Sequence, residues 1–209
     1  MAMNGIAQIL SLAVVLALAV PALAGPYEQA FGAVQRMLTQ SARNDETGLQ
    51  AARQQLEQMP RPAHQDVKAA RALNQQGLDA LKRGDAAAAV TALQQAQRAD
   101  PADVEVAGNL GYAHLKLGQL KRAEQQLIYA LSLAPDRVSS WFNLGQVYGA
   151  LNQPEKATGA FANTYRFAQN RIKTEGFLRQ ALQNPENSAA TRTALRQALA
   201  LFGLSVDGP

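Results

Sequence analysis

A chain of 209 residues, 47% hydrophobic and 17% charged, has the make-up of a folded protein and is long enough for one domain or an extended repeat array. It contains no cysteine, which excludes disulfides, thiol nucleophiles, thiolate metal ligands and lipid attachment at a processed N-terminus. The net charge of +4 is spread along the chain and not gathered into a basic patch, so nucleic acid is not an expected partner.

Residues 1–24 differ in kind from the rest. Ile6 to Val20 is almost wholly apolar, Pro21 breaks the run, and Ala22 and Ala24 stand at the spacing a signal peptidase accepts. The apolar run is shorter than the roughly 20 residues a spanning helix needs, and no Lys or Arg precedes it. The expectation is a secretory signal cleaved after Ala24 and an exported protein, with the style of the signal pointing to a bacterial periplasm. The alternative is an uncleaved inner-membrane anchor formed by residues 6–20.

Residues 25–62 follow as a helical pair. Tyr27, Ala30, Phe31, Val34, Met37 and Leu38 fall at helical spacing and predict an amphipathic helix from Tyr27 to about Ala42. Leu49, Ala52, Leu56 and Met59 predict a second, ended by Pro60, Arg61 and Pro62.

From Ala70 onward the punctuation becomes periodic. Gly77, Gly111 and Gly145 recur every 34 residues, and Ala89, Ala123 and Ala157 keep the same step. So do Leu93, Leu127 and Phe161, and the left-handed-tolerant Gly84, Gly118 and Asn152; Pro101 and Pro135 close the first two units. A glycine inside a helix costs about 1 kcal/mol relative to alanine, so three at one phase imply close helix approach, with Leu93, Leu127 and Phe161 filling the space. Gly84, Gly118 and Asn152 each predict the turn of a helical hairpin, and Pro154 predicts the start of a helix.

This pattern resembles the tetratricopeptide repeat. Trp141, Leu144, Gly145, Tyr148, Ala157 and Phe161 carry the resemblance best; unit one has Leu73, Gln76 and Ala80 at the Trp, Leu and Tyr positions, and unit two has Ala107 and His114 at the Trp and Tyr positions. The resemblance implies an all-α fold, a right-handed superhelical solenoid of antiparallel helix hairpins with flanking capping helices. Three repeats span residues 63–170, at about 70–103, 104–137 and 138–170. The pair at 25–62 is out of step with the period and is either an N-terminal cap or a degenerate repeat. Residues 171–209 form a second helix pair and a short tail: Ile172 to Gln183 and Ser188 to Phe202, with Ser188 as N-cap and Leu178, Leu182, Leu195, Leu199 and Phe202 as apolar stripes suited to seal the last unit.

Catalytic motifs are absent: no GxSxG, no phosphate-binding glycine loop and no HExxH occurs, so no enzyme, metal or cofactor is expected. The two histidines stand apart, His114 where the family carries a packed Tyr and His64 near a helix start, expected to be solvated. Arg166, Arg171, Lys173 and Arg179 form a modest basic stretch, either a solvated helix face or a contact for an acidic partner.

The resemblance implies a binding surface on the concave face. Carried over by position, that face offers Asn74, Leu78 and Lys82 from unit one, Asn109, Tyr112 and Lys116 from unit two, and Phe142, Asn143 and Gln146 from unit three. Asn amides suit an extended peptide backbone, Tyr112 and Phe142 supply apolar anchors, and Lys82 and Lys116 favour acidic side chains. Of the family's two-carboxylate clamp only Asn109 is present, with Leu78, Ser139 and Asn143 replacing clamp residues, which speaks against binding of a chaperone tail. The expected function is a non-enzymatic envelope adaptor holding a protein or peptide; the alternative is a structural subunit of a secretion, pilus or wall-synthesis assembly that packs through its end and convex surfaces.

Overall fold

The computed structural model describes residues 26–204; the expected leader and the tail from Ser205 to Pro209 lie outside them. Among the described residues the chain forms ten α-helices and no strand. Helices α1 (Pro26–Ala42) and α2 (Glu46–Glu57) form the first hairpin. The three periodic units are α3 (Val67–Lys82) with α4 (Ala86–Ala99), α5 (Val104–Lys116) with α6 (Leu120–Leu133), and α7 (Val138–Ala150) with α8 (Pro154–Arg166). Helices α9 (Arg171–Gln183) and α10 (Ala189–Ala200) follow.

The turns form for the reasons the residue types dictate. Gly84, Gly118 and Asn152 have φ of 80°, 68° and 55°, the left-handed conformation that ends the first helix of each unit. Carboxylates of Asp66, Asp85 and Asp103 accept backbone N–H groups at the starts of α3, α4 and α5. Within each unit the glycine lets the second helix approach. A Cβ at Gly77 would stand 2.6 Å from Leu93 Cγ, one at Gly111 2.7 Å from Leu127 Cγ, and one at Gly145 2.5 Å from Phe161 Cε1. First helices then stack on one another, α3 on α5 and α5 on α7, while α4 packs on α5 and α6 on α7. The result is a solenoid of helical hairpins.

The first hairpin does not stand in series ahead of α3. Helix α1 lies along α8 and touches α6, so the pair covers second helices of units two and three. Two features put it there. Gly159 has no side chain, and a Cβ would collide with the backbone carbonyl of Leu38, so the α1 and α8 backbones meet directly. Arg166 then clasps the α1–α2 turn: Nε donates to Glu46 Oε2 at 2.9 Å, Nη2 to Asn44 Oδ1 at 2.7 Å, and Nη1 to the buried hydroxyl of Ser41. The Arg166 side chain is only 7% exposed, so it belongs neither to a solvated face nor to a partner contact. Of the other basic residues in that stretch, Arg179 pairs with Glu175 at 2.7 Å and Arg171 lies over the Tyr165 ring. Asn44, at φ 55°, makes the α1–α2 turn with the chemistry used in the array.

Helix α10 packs on both α7 and α8. Its first turn crosses Gly149, where a Cβ would strike Thr191, and the Ser188 hydroxyl donates to Gly149 O at 3.1 Å while accepting from Thr191 N as the N-cap. Helix α9 stands farther out, against α8 and α10. His64 is solvent-exposed as expected, with its side chain 65% exposed, and its Nδ1 lies 2.7 Å from Oδ2 of the buried Asp100, whose Oδ1 accepts from Gln65 and Ala102 N–H groups. Burial alone would raise the Asp100 carboxyl, but the His64 bond and these two N–H groups outweigh it and hold it below its ordinary 3.8.

Candidate functional site

The face built from α3, α5 and α7 carries a groove of about 1110 Å³ that runs from Tyr112 and Lys116 on α5 across Phe142, Asn143 and Gln146 on α7 to Phe177 on α9. A neighbouring cavity of about 500 Å³ holds Leu78, Lys82 and Asn109 and shares Tyr112 and Asn143 with it. Eight of the nine residues expected on this face therefore line two connected spaces. Asn74 lines a third cavity, of about 700 Å³, and is largely covered there: it is 7% exposed, and its Oδ1 accepts from Asn109 Nδ2 at 2.9 Å, which links α3 to α5.

The chemistry of the groove is graded along its length. At one end Phe142 is wedged between Phe161, with ring centroids 5.6 Å apart, and Phe177, at 4.5 Å. Phe177 remains 44% exposed, so the pair presents an open aromatic cleft. Asn143 and Gln146 are half-buried, and among the described residues no side-chain partner takes up their amides. Lys116 is exposed, while Lys82 makes a weak contact with Asp79 at 3.5 Å. The groove thus offers amide donors and acceptors beside an apolar cleft and a lysine, the means to hold an extended backbone and one large side chain.

Sequence reasoning missed Phe177 and Arg137, both of which line this groove. Phe177 carried a signal, being a large apolar residue off the Leu178–Leu182 stripe of its helix. Arg137 carried none, because it sits in a short connection.

His114, at the family's Tyr position, is buried at 2% exposure with Nδ1 2.8 Å from Gln119 Oε1. Burial pushes its pKa below the ordinary 6.5, outweighing the Gln119 bond, and Arg122 adds to the lowering. Above pH 6.5 the ring is neutral in both folded and unfolded chains and adds no pH dependence. As pH falls below 6.5 the unfolded chain takes up a proton that the folded chain refuses, so stability declines until the folded pKa is passed. Urea midpoints at pH 7.5 and 5.5 should therefore drop more for the natural chain than for His114→Tyr; equal drops would show that the ring is not shielded.

An all-α repeat protein with an open groove is the class that this fold and site define. Among the described residues no group of three or more His, Cys, Asp or Glu could hold a metal, and no helix is long and apolar enough to cross a membrane. A family model described as tetratricopeptide repeat matches twice, over residues 74–136 and 109–171. Residues 74–171 thus carry tetratricopeptide repeats. Cellulose synthase operon protein C of Escherichia coli strain K12 is 34% identical over 122 residues, 56% of this chain and 10% of the relative, and its counterpart in Escherichia coli O157:H7 matches to the same extent. The chain thus spans about a tenth of the length of these curated relatives. Among solved structures, the first TPR of Spaghetti (RPAP3) bound to an HSP90 peptide has a TM-score of 0.51 at 23% identity, covering 59% of this chain and 100% of that one. The first TPR domain of human RPAP3 has 0.51 at 21%, covering 63% and 93%. These two share the fold with this chain. Repeats of this family are generally non-catalytic interaction modules, and the fold supports a role in protein–protein interaction.

Proposed function

We propose that this chain is a non-enzymatic adaptor of the cell envelope that holds an extended segment of a partner protein along α5, α7 and α9. The observation that carries this reading is the juxtaposition of the open Phe142–Phe177 cleft with the unspent amides of Asn143 and Gln146 in one groove. The leader-like residues 1–24 support export to a bacterial periplasm, and the cellulose synthase operon name of the relatives supports an envelope process. A chaperone tail is not the expected ligand, since Leu78, Ser139 and Asn143 stand where clamp residues would be needed.

Affinity capture from envelope extract tests the reading. The double variant Tyr112→Ala, Phe142→Ala should lose its partner, because truncating central aromatic anchors typically costs about 2 kcal/mol or more, over tenfold in affinity. Unchanged capture would reject the groove. It would favour an assembly subunit that packs through its end, where Ile172 on α9 is 86% exposed. The convex side is less available for such packing, since α1 already covers parts of α6 and α8.

A further inference from the structure

We propose that Arg137 is the anion anchor of the groove: it receives an aspartate or glutamate carboxylate of the bound segment while an apolar side chain of that segment lies against Phe142 and Phe177. This deepens the groove reading and rests on it.

Arg137 occupies the N-cap position of α7, yet its side chain makes no capping bond; the backbone carbonyl alone serves the helix, accepting from Ser140 and Trp141 N–H groups. The side chain is thus not used as a cap. Its Nε is shut off from solvent and has no acceptor, and among the described residues the guanidinium makes no ion pair or hydrogen bond. Nη1 and Nη2 are not shut off in this way and are likewise without an acceptor among the described residues, so a carboxylate that arrives with the ligand would bridge them in the fork geometry that guanidinium prefers. Gly108 leaves the room: a Cβ there would stand 3.7 Å from Arg137 Nε and 3.3 Å from the hydroxyl of Ser140, itself buried without a partner.

The charges around Arg137 are balanced. Arg137 lines both the main groove and a cavity of about 700 Å³ whose wall includes Arg61 and Arg71, so one guanidinium stands where the two spaces meet. Of the acids nearby, Asp103 is spent capping α5 through Glu105 and Val106 N–H groups, and Asp136 faces Arg53 at 4.0 Å. Lys116, Arg61, Arg71 and Arg137 face Asp103, Glu105, Asp136 and Glu186, four cations to four acids, so the pull on an acidic segment comes from the unpaired Arg137 guanidinium itself.

Selecting a phage-displayed random linear peptide library on the whole protein tests this. Enriched peptides should share an Asp or Glu at fixed spacing from a large apolar residue, and changing that acid to its amide should weaken binding roughly tenfold. Arg137→Gln should lose the same factor with the acidic peptide and nothing with the amide peptide, and Arg137→Lys should recover part of it. Phe142→Ala should weaken both peptides. Arg137→Gln binding both peptides as the natural chain does, or weakening both equally, would overturn the anchor while leaving the groove intact. Peptides indifferent to Phe142→Ala, or a library that yields none, would overturn the groove and the anchor with it.

Discussion

Leucine at position 159 is expected to lift the first hairpin off the array and to lower stability by about 3 kcal/mol. Glycine is required there because a Cβ would fall on the Leu38 carbonyl oxygen, with its C at 2.8 Å and Cα at 2.9 Å. These are backbone atoms, so no rotamer change relieves the collision, unlike at Gly77, where the three nearest atoms all belong to the Leu93 side chain. Moving α1 away exposes Ala33, Val34, Met37 and Leu38, all essentially buried, and separates Arg166 from Glu46, Asn44 and Ser41. Native-state amide exchange should show α1 and α2 losing protection while α3 and α4, which share a separate small core, keep theirs. Unaltered protection across α1 would mean that the hairpin does not dock against Gly159.

Trp141→Ala should cost about 3 to 5 kcal/mol, the range for removing a fully buried large aromatic. The ring is 0% exposed, lies in the main core and donates from Nε1 to Pro135 O at 2.7 Å, which joins the end of unit two to the start of unit three. Trp141→Phe separates the contributions: it keeps most of the apolar volume but strands the Pro135 carbonyl, for a loss of about 1 to 2 kcal/mol. In an array stabilised by neighbour contacts the damage should centre on units two and three. Urea denaturation gives both values, and a loss under about 1 kcal/mol for the alanine variant would contradict the burial seen here.

The array was legible because its determinants are local and repeat. A glycine faces its own unit's large residue 16 positions on, as Gly77 does Leu93, and the left-handed residue at each turn acts within its own hairpin. The face that lines the groove followed from the tetratricopeptide resemblance carried over position by position, and the fold brings Tyr112, Phe142, Asn143 and Gln146 together there. Side-chain commitments across units were not legible. Asn74 belongs to that face by position, yet it is nearly buried and its Oδ1 is taken by Asn109, 35 residues away. Arg137 borders the groove only because the α6–α7 connection carries it between two cavities.

By itself, then, the sequence determined helix content, the three-unit register and the turns, all set by interactions within about one repeat. Only the tertiary structure decided where the first hairpin goes. Arg166 reaches Glu46 across 120 residues and Ser41 across 125, contacts with no period and no local signature. Gly159 drew no expectation and Arg166 read as part of a basic stretch; their roles show only once α1 is laid against them. Packing between elements distant in sequence depends on shape and on unmet hydrogen-bonding groups, and those exist only once the helices have formed.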